Sequence, residues 1–584
     1  MISRRSWAAA FCLALGVVAV FLPAGGFSFL PFDDDVFVTE NPLVRDGLSW
    51  RAAAQAFVRI DQAANWIPAT WLSHMADVSL FGLRPGPHHL VNVALHAATA
   101  SLLALVLLAM TGRAGRSFLV AVLFAVHPLR VESVAWVAER KDVLVAFFWV
   151  LAMAAWLRYA RRPGGGRYLL VVVAVLLALL AKPMAVTLPV ALLLLDHWPL
   201  GRRLGGGIAA RRLLFEKIPL LALAAGTSWI AWLAQRQAEA PFLMDSQHAP
   251  LRIANALLSY VRYLGKSAWP AGLSPFYTYH SASLRSWTIA SAALLLAVVT
   301  VISLWMRRTR PWIAVGWTWY LVTLLPVIGF IQVGGQPMAD RYTYLPSIGL
   351  LVACCWTAAD LLGRFGRSPG MILIAEAAAV AVCIALAAAT RTQLAHWRNG
   401  DSFFARARQI APDHFILRSL ADYNLGVIAA HEGRNDAAET HFLAAVRERP
   451  TFADAWNNLG GVRVFLGRLV EAEHDLREAL RLAPRDPKVH ANLGLVLGGL
   501  GRTAEAEAEF AAAIALDAAS AFIRFQHGDF LARSGRYAEA AASFREAVRL
   551  DPEDEEARAR LAELEQAGML APGGNSRFPV DGGK

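Results

Sequence analysis

This sequence predicts an all-α fold in two parts: a polytopic membrane helical bundle over residues 1–392 and an α-solenoid of repeats over 419–554. Three observations predict it. The chain is 56% hydrophobic with a mean hydropathy of +0.42, more apolar surface than a soluble protein of 584 residues needs. Apolar runs alternate with short Arg-rich or Pro/Gly-rich breaks up to residue 392, whereas 400–570 reads as charged, Ala-rich helices. Glycines in that second part recur every 34 residues.

A helix needs roughly 20 apolar residues to cross a bilayer. Candidate spans are 7–24, 88–111, 117–129, 143–160, 167–181, 184–199, 213–234, 287–306, 312–333, 341–362 and 371–390, about eleven crossings. Three of them are short enough to have shifted ends or to pair as broken helices. Residues 1–23 resemble a signal peptide, with two arginines before an apolar core, but read here as an uncleaved anchor.

Orientation comes from arginine. Clusters lie at Arg4–Arg5, Arg113 with Arg116, Arg158 to Arg167, Arg202 to Arg212, Arg307 to Arg310 and Arg364 to Arg367. With Arg4–Arg5 inside, 26–87 falls outside and every later cluster falls inside, as cytoplasmic loops require. The scheme holds if 251–272, with Arg252, Arg262 and Lys266, lies on the outer surface as an amphipathic helix. If that segment crosses, the later clusters change sides. The repeats then belong on the extracytoplasmic side of what the Arg- and Ala-rich, Lys-poor composition suggests is a bacterial inner membrane. The net charge of +11 does not point to nucleic acid, because the basic residues sit between apolar runs rather than on one soluble face. Cys12, Cys354, Cys355 and Cys383 all lie in apolar runs, which excludes a disulfide framework.

The repeats are the sharpest signal. Gly426, Gly460, Gly494 and Gly528 are 34 apart, as are Gly433, Gly467, Gly501 and Gly535, each of the latter followed by arginine. Ala438, Ala472, Ala506 and Ala540 keep the same register, and Phe442, Leu476, Phe510 and Phe544 fall where units pack together. Period and residue types match the tetratricopeptide pattern, whose concave faces bind peptides or proteins. Four units span 419–554, with a linker or partial repeat over 393–418, a capping helix over 555–568 and a disordered tail over 569–584.

Chemistry is expected in the outer loops. Asp33, Asp34 and Asp35 cluster just after the first span, and clustered acids raise one another's pKa until one suits a general base. His89, Asn92 and His96 stand at i, i+3 and i+7 on one face of the second span. No carboxylate is spaced to complete a metal site with them, so hydrogen bonding between helices is expected and no dedicated metal site is read. HPLRVESVAWVAERKD carries Arg130, Glu132, Glu139, Arg140, Lys141 and Asp142; AKPM carries Lys182; ADRYTY carries Arg341 and Tyr342. Arginine's planar fork suits phosphate. Acids facing such cations suit a lipid-linked phosphate and an acceptor hydroxyl, but spacing alone identifies no reaction, and a solvated acidic loop, a snorkelling Lys182 and an Arg341–Asp340 pair are the bland alternatives.

Together, FDDDVFVTENPLV, HPLRVESVAWVAERKDVL, LAKPMAVTLP and ADRYTYLPSIG, followed by the repeats, resemble the transmembrane and tetratricopeptide repeat-containing O-mannosyltransferase family and its bacterial relatives. That family is similar in architecture to protein O-mannosyltransferases of the C-type glycosyltransferase superfamily. The resemblance implies an enzyme that moves a sugar, mannose or another hexose, from a polyprenyl-phosphate donor to Ser/Thr hydroxyls of extracytoplasmic proteins, with the repeats recruiting the acceptor. It implies Asp33 and Asp34 as the catalytic acids, either one being the base, with Asp35 more replaceable. Lys182, Arg341 and Arg140 are expected to bind the donor phosphate, and His89, Asn92, Glu132 and Tyr342 the substrate. Metal dependence stays open, as do two other readings: a non-catalytic scaffold recruiting envelope proteins, and a transferase acting on lipid or polysaccharide.

Overall fold

Prolines decide where the apolar runs become long helices and where they break. The computed structural model describes residues 2–60, 65–202, 208–237, 249–277, 285–329, 338–364, 368–410 and 415–566, and no strand occurs among them. The expected tail, 569–584, lies outside the described residues. The chain divides into two compact units, Met1–Arg406 and Ala407–Lys584.

In the first unit, helix α1 (Arg4–Phe21) leads through a loop to α2 (Trp50–Val58) and α3 (Pro68–Phe81). Then come α4 (Pro85–Thr111), α5 (Ala114–Val126), the short α6 (Val131–Ala135), α7 (Arg140–Arg161), α8 (Gly165–Ala181) and α9 (Leu188–His197). The series continues with α10 (Ile208–Phe215), α11 (Ile218–Gln237), α12 (Ala249–Ala268), α13 (Ser286–Trp305), α14 (Pro311–Leu324), α15 (Pro346–Arg364) and α16 (Pro369–Leu394). Helix α4 sits at the centre, packed by α1, α5 and α7, which is why its polar side chains His89, Asn92 and His96 are fully buried. Helices α14 and α15 cross at two glycines. A Cβ on Gly316 would stand 2.3 Å from the Gly349 carbonyl oxygen, so only glycine permits that approach.

Among the described residues seven helices, or eight if one bent pair is a single span, are long and apolar enough to cross a membrane, not the expected eleven. The shortfall has a local cause. The run 117–129 bends by 61° between α5 and α6, where Pro128 removes a helical N–H. The runs 167–181 and 184–199 are separated by Lys182–Pro183 into two shorter apolar helices. In the run from 312, helix α14 spans 14 residues from Pro311 and stops at Leu324, ahead of Pro326. Helix α12, the segment expected to lie on the surface, is not among the seven. Helices α13 and α16 turn Leu294, Val301, Leu373, Ile374 and Ile384 outward, each at least 64% exposed. Such side chains belong against lipid rather than water, and the unit is membrane-associated.

Helix α17 (Gly400–Ile410) contains the division between units. The second unit is built of antiparallel pairs: α18 (Phe415–His431) with α19 (Asn435–Glu448), α20 (Ala453–Phe465) with α21 (Leu469–Leu482), α22 (Pro487–Gly499) with α23 (Thr503–Leu516), and α24 (Ala521–Arg533) with α25 (Tyr537–Leu550). Helix α26 (Glu555–Gln566) packs on the last pair. Gly433, Gly467, Gly501 and Gly535 make the turns inside the pairs at φ +73° to +78°, a conformation that costs glycine little. Phe442, Leu476, Phe510 and Phe544 are at most 1% exposed and fill the gaps opposite Gly426, Gly460, Gly494 and Gly528. In this unit an open groove of about 800 Å³ is lined by Tyr423, Asp454, Asn457, Asn458, Arg485 and Lys488.

Candidate functional site

The three aspartates after the first span have different surroundings. Asp34 is fully buried, its Oδ2 accepting from the Leu30 N–H and its Oδ1 from the Ala138 N–H, both at 2.8 Å. One carboxyl thereby ties the acidic loop to the turn ahead of α7. Burial pushes its pKa up to about 8, against the pull of the two N–H groups. Asp33 adopts φ +65°, a left-handed backbone that Asp tolerates better than most residues but that still costs about 1 kcal/mol. Its half-buried carboxylate accepts no hydrogen bond among the described residues. Burial raises its pKa, and Lys141 and Arg341 nearby offset part of that rise.

Lys141, Lys182 and Arg341 form the cationic side of the cluster, each with only 11–12% of its side chain exposed. Lys182 pairs with Asp142 and, at 3.4 Å, with Glu139; Lys141 lies 3.2 Å from Glu139. Arg341 pairs with Glu132 and, at 3.1 Å, with Glu139, while its backbone N–H donates to Glu132 at 2.9 Å. The acids Glu132, Glu139 and Asp142 are at most 3% exposed, so the three cations lie outside the three acids they pair with. Trp136 and Tyr342 lie under the Arg341 guanidinium, and the Trp136 indole donates to the Phe32 carbonyl at 3.1 Å. Four segments distant in sequence therefore converge: the acidic loop, residues 127–142, Lys182, and residues 339–344.

Several expected site residues lie elsewhere or are already engaged. Arg140 is no phosphate ligand in this geometry. It is fully buried, and each of its three nitrogens donates internally: Nε to Asn92, Nη1 to Ser73 at 2.8 Å, and Nη2 to Asp77 at 2.6 Å and the His88 carbonyl at 2.9 Å. Lys141, its neighbour, points into the charged cluster instead, as adjacent residues on a helix diverge by about 100°. Asn92 spends its amide on the Trp136 carbonyl at 3.0 Å and its oxygen on Arg140. His89 reaches the Ser28 carbonyl at 3.3 Å, and His96 bonds Tyr344 and the Ala125 carbonyl. These two histidines and Asn92 thus hold helices together. Glu132 and Tyr342 are in the cluster but engaged with Arg341. Every acid of the cluster except Asp33 has a cationic or backbone partner; ligand atoms for a cation are grouped elsewhere, on His74, Asp77 and His88. An i, i+3 His/Asp pair in WLSHMAD was the available sequence signal for that group.

A helical, membrane-associated unit carrying a charged cluster, followed by helical repeats, defines the class. The model for the C-terminal domain of cilia and flagella-associated protein 70 matches residues 361–575. Human protein O-mannosyl-transferase TMTC1 is 23% identical over 481 residues, 73% of this chain and 53% of the human protein. Human protein O-mannosyl-transferase TMTC4 is 26% identical over 442 residues, 65% of this chain and 57% of that protein. The chain thus spans about half the length of these curated relatives, distant homologues that carry O-mannosyl-transferase names. A crystal structure of TTC0263, a thermophilic TPR protein from Thermus thermophilus, is 25% identical to the matched part and has a TM-score of 0.26, covering 29% of this chain and 91% of that one.

Proposed function

We propose that this protein is an integral-membrane glycosyltransferase of a bacterial inner membrane. It moves mannose or another hexose from a polyprenyl-phosphate donor to Ser/Thr hydroxyls of extracytoplasmic proteins, with the acidic loop and repeats on the extracytoplasmic side. The observation that carries this reading is Asp33, a carboxylate unpaired among the described residues and standing near Lys141 and Arg341, two cations that lie outside the buried acids they pair with.

In this reading Asp33 is the base. It takes the proton of the acceptor hydroxyl as that oxygen attacks the anomeric carbon. The bond from that carbon to the phosphate oxygen breaks, and the lipid phosphate leaves as an anion held by Arg341, Lys182 and Lys141. Lys141 replaces Arg140 among the phosphate ligands. Asp34 positions Asp33 by anchoring the loop. The groove lined by Tyr423, Asn457, Asn458 and Arg485 offers amide and charged groups to an acceptor segment.

The test is quantitative glycopeptide mass spectrometry on extracytoplasmic proteins from intact, deleted and Asp33→Asn strains, with protein levels matched. Asparagine keeps the left-handed backbone at 33 and removes only the base. Hexose-bearing Ser/Thr peptides should fall by about 10²–10⁴-fold in rate in the variant and vanish in the deletion. An unchanged glycopeptide pattern in the Asp33→Asn strain refutes the assignment of the base. An unchanged pattern in the deletion refutes the activity.

A further inference from the structure

Outside the charged cluster, a buried group of possible ligand atoms contains three ring nitrogens to which nothing donates among the described residues. His74 and Asp77 stand one turn apart on the same face of α3, and His88 enters from the first turn of α4. All three side chains are buried, and one ligand atom of each lies within 4.8 Å of the others. His88 Nε2 is 2.9 Å from the Gly82 carbonyl oxygen. A carbonyl only accepts, so Nε2 carries the proton, and in the neutral ring Nδ1 is left with a lone pair. That lone pair faces Asp77 Oδ2 across 3.6 Å, acceptor against acceptor. His88 Nδ1 and both ring nitrogens of His74 have no hydrogen-bond partner among the described residues. Buried polar atoms left so are rare unless something is bound there.

We propose that His74, Asp77 and His88 form a binding site for one divalent transition cation of the zinc class. Two imidazole nitrogens and one carboxylate oxygen are the donors zinc takes, and they disfavour Mg²⁺ and Ca²⁺. Tetrahedral ligands with bonds of about 2.0–2.1 Å stand about 3.3–3.4 Å apart, close to the 3.6 Å between His88 and Asp77. The surroundings are those of a metal site. The Gly82 carbonyl fixes the His88 tautomer, and Arg140 orients the Asp77 carboxylate from 2.6 Å. The cation clips α3 to α4, and through Asp77 and Arg140 it steadies Asn92 and the Trp136 carbonyl behind the charged cluster. The site stands on its own geometry and holds whatever reaction the cluster performs.

The test uses the full-length protein in detergent, purified through a tag without histidines and titrated with Co²⁺. The expected result is about one equivalent bound per chain with the visible bands of tetrahedral Co²⁺, displaced by Zn²⁺, and a melting temperature raised by either metal. His74→Asn should abolish both the bands and the thermal shift. Folded wild-type protein that gives only the spectrum of aqueous Co²⁺ overturns the proposal, leaving the group as a protonated His88 paired with Asp77. So does a His74→Asn protein that keeps the wild-type bands.

Discussion

Asp34→Ala separates anchoring from chemistry. The substitution leaves the Leu30 and Ala138 N–H groups without acceptors in a fully buried place. Each orphaned donor costs about 1–3 kcal/mol, so the first unit should lose about 2–6 kcal/mol. Asp34→Asn keeps one accepting oxygen and turns an NH₂ group toward the second N–H, so its loss should be about 1–3 kcal/mol. Asp33→Asn breaks no hydrogen bond and should change stability by less than about 0.5 kcal/mol. The assay is thermal unfolding of the detergent-solubilised full chain followed by tryptophan fluorescence, to which Trp136, bonded to the acidic loop at Phe32, contributes. An Asp34→Ala protein as stable as wild type would refute the anchoring role. A strongly destabilised Asp33→Asn protein would refute the division of labour between the two acids.

Raising pH should weaken the same unit. The folded pKa of Asp34, about 8, lies above its ordinary 3.8, so its proton-linked stability is complete below about pH 4 and is lost as pH rises through 8. Between pH 6 and 8 the loss should approach about 2 kcal/mol, and Asp34→Asn should flatten the dependence measured by denaturant or thermal unfolding. Lys182→Ala takes from buried Asp142 the cation it pairs with, while Glu139 keeps Lys141 and Arg341. It should cost about 3–5 kcal/mol, with part restored by adding Asp142→Ala, read in a double-mutant thermal series. Phe510→Ala empties a fully buried position between Gly494 and the next pair. It should cost the repeats about 3–5 kcal/mol, with hydrogen exchange rising in α22–α25 before α18–α19.

What could be read beforehand follows how local each signal was. The repeats were fully legible because a 34-residue period restates one local structure, turn glycine and packing aromatic included. Spans were legible where an apolar run was unbroken. The expected count goes unconfirmed at Pro128, Pro183 and the run ending at Leu324, where hydropathy is blind to a missing N–H. The motifs that meet in the cluster could be picked out as groups, but roles within them could not. Whether Asp33 or Asp34 points outward depends on a left-handed residue at 33 and on an amide 104 residues away. That Lys141 rather than Arg140 faces the charged cluster turns on one helical step, set by where Asp77 and Asn92 lie on two other helices. His74 and Asp77 had a readable spacing, and only the fold brings His88 to them.

The bond from Ala138 to Asp34 has a consequence for how this protein can vary. Position 138 contributes its amide rather than its side chain, so what it demands is a negative requirement: any small residue serves, and proline does not. A scan for indispensable side chains would pass over 138. Yet a single missing hydrogen there would release the loop that carries Asp33.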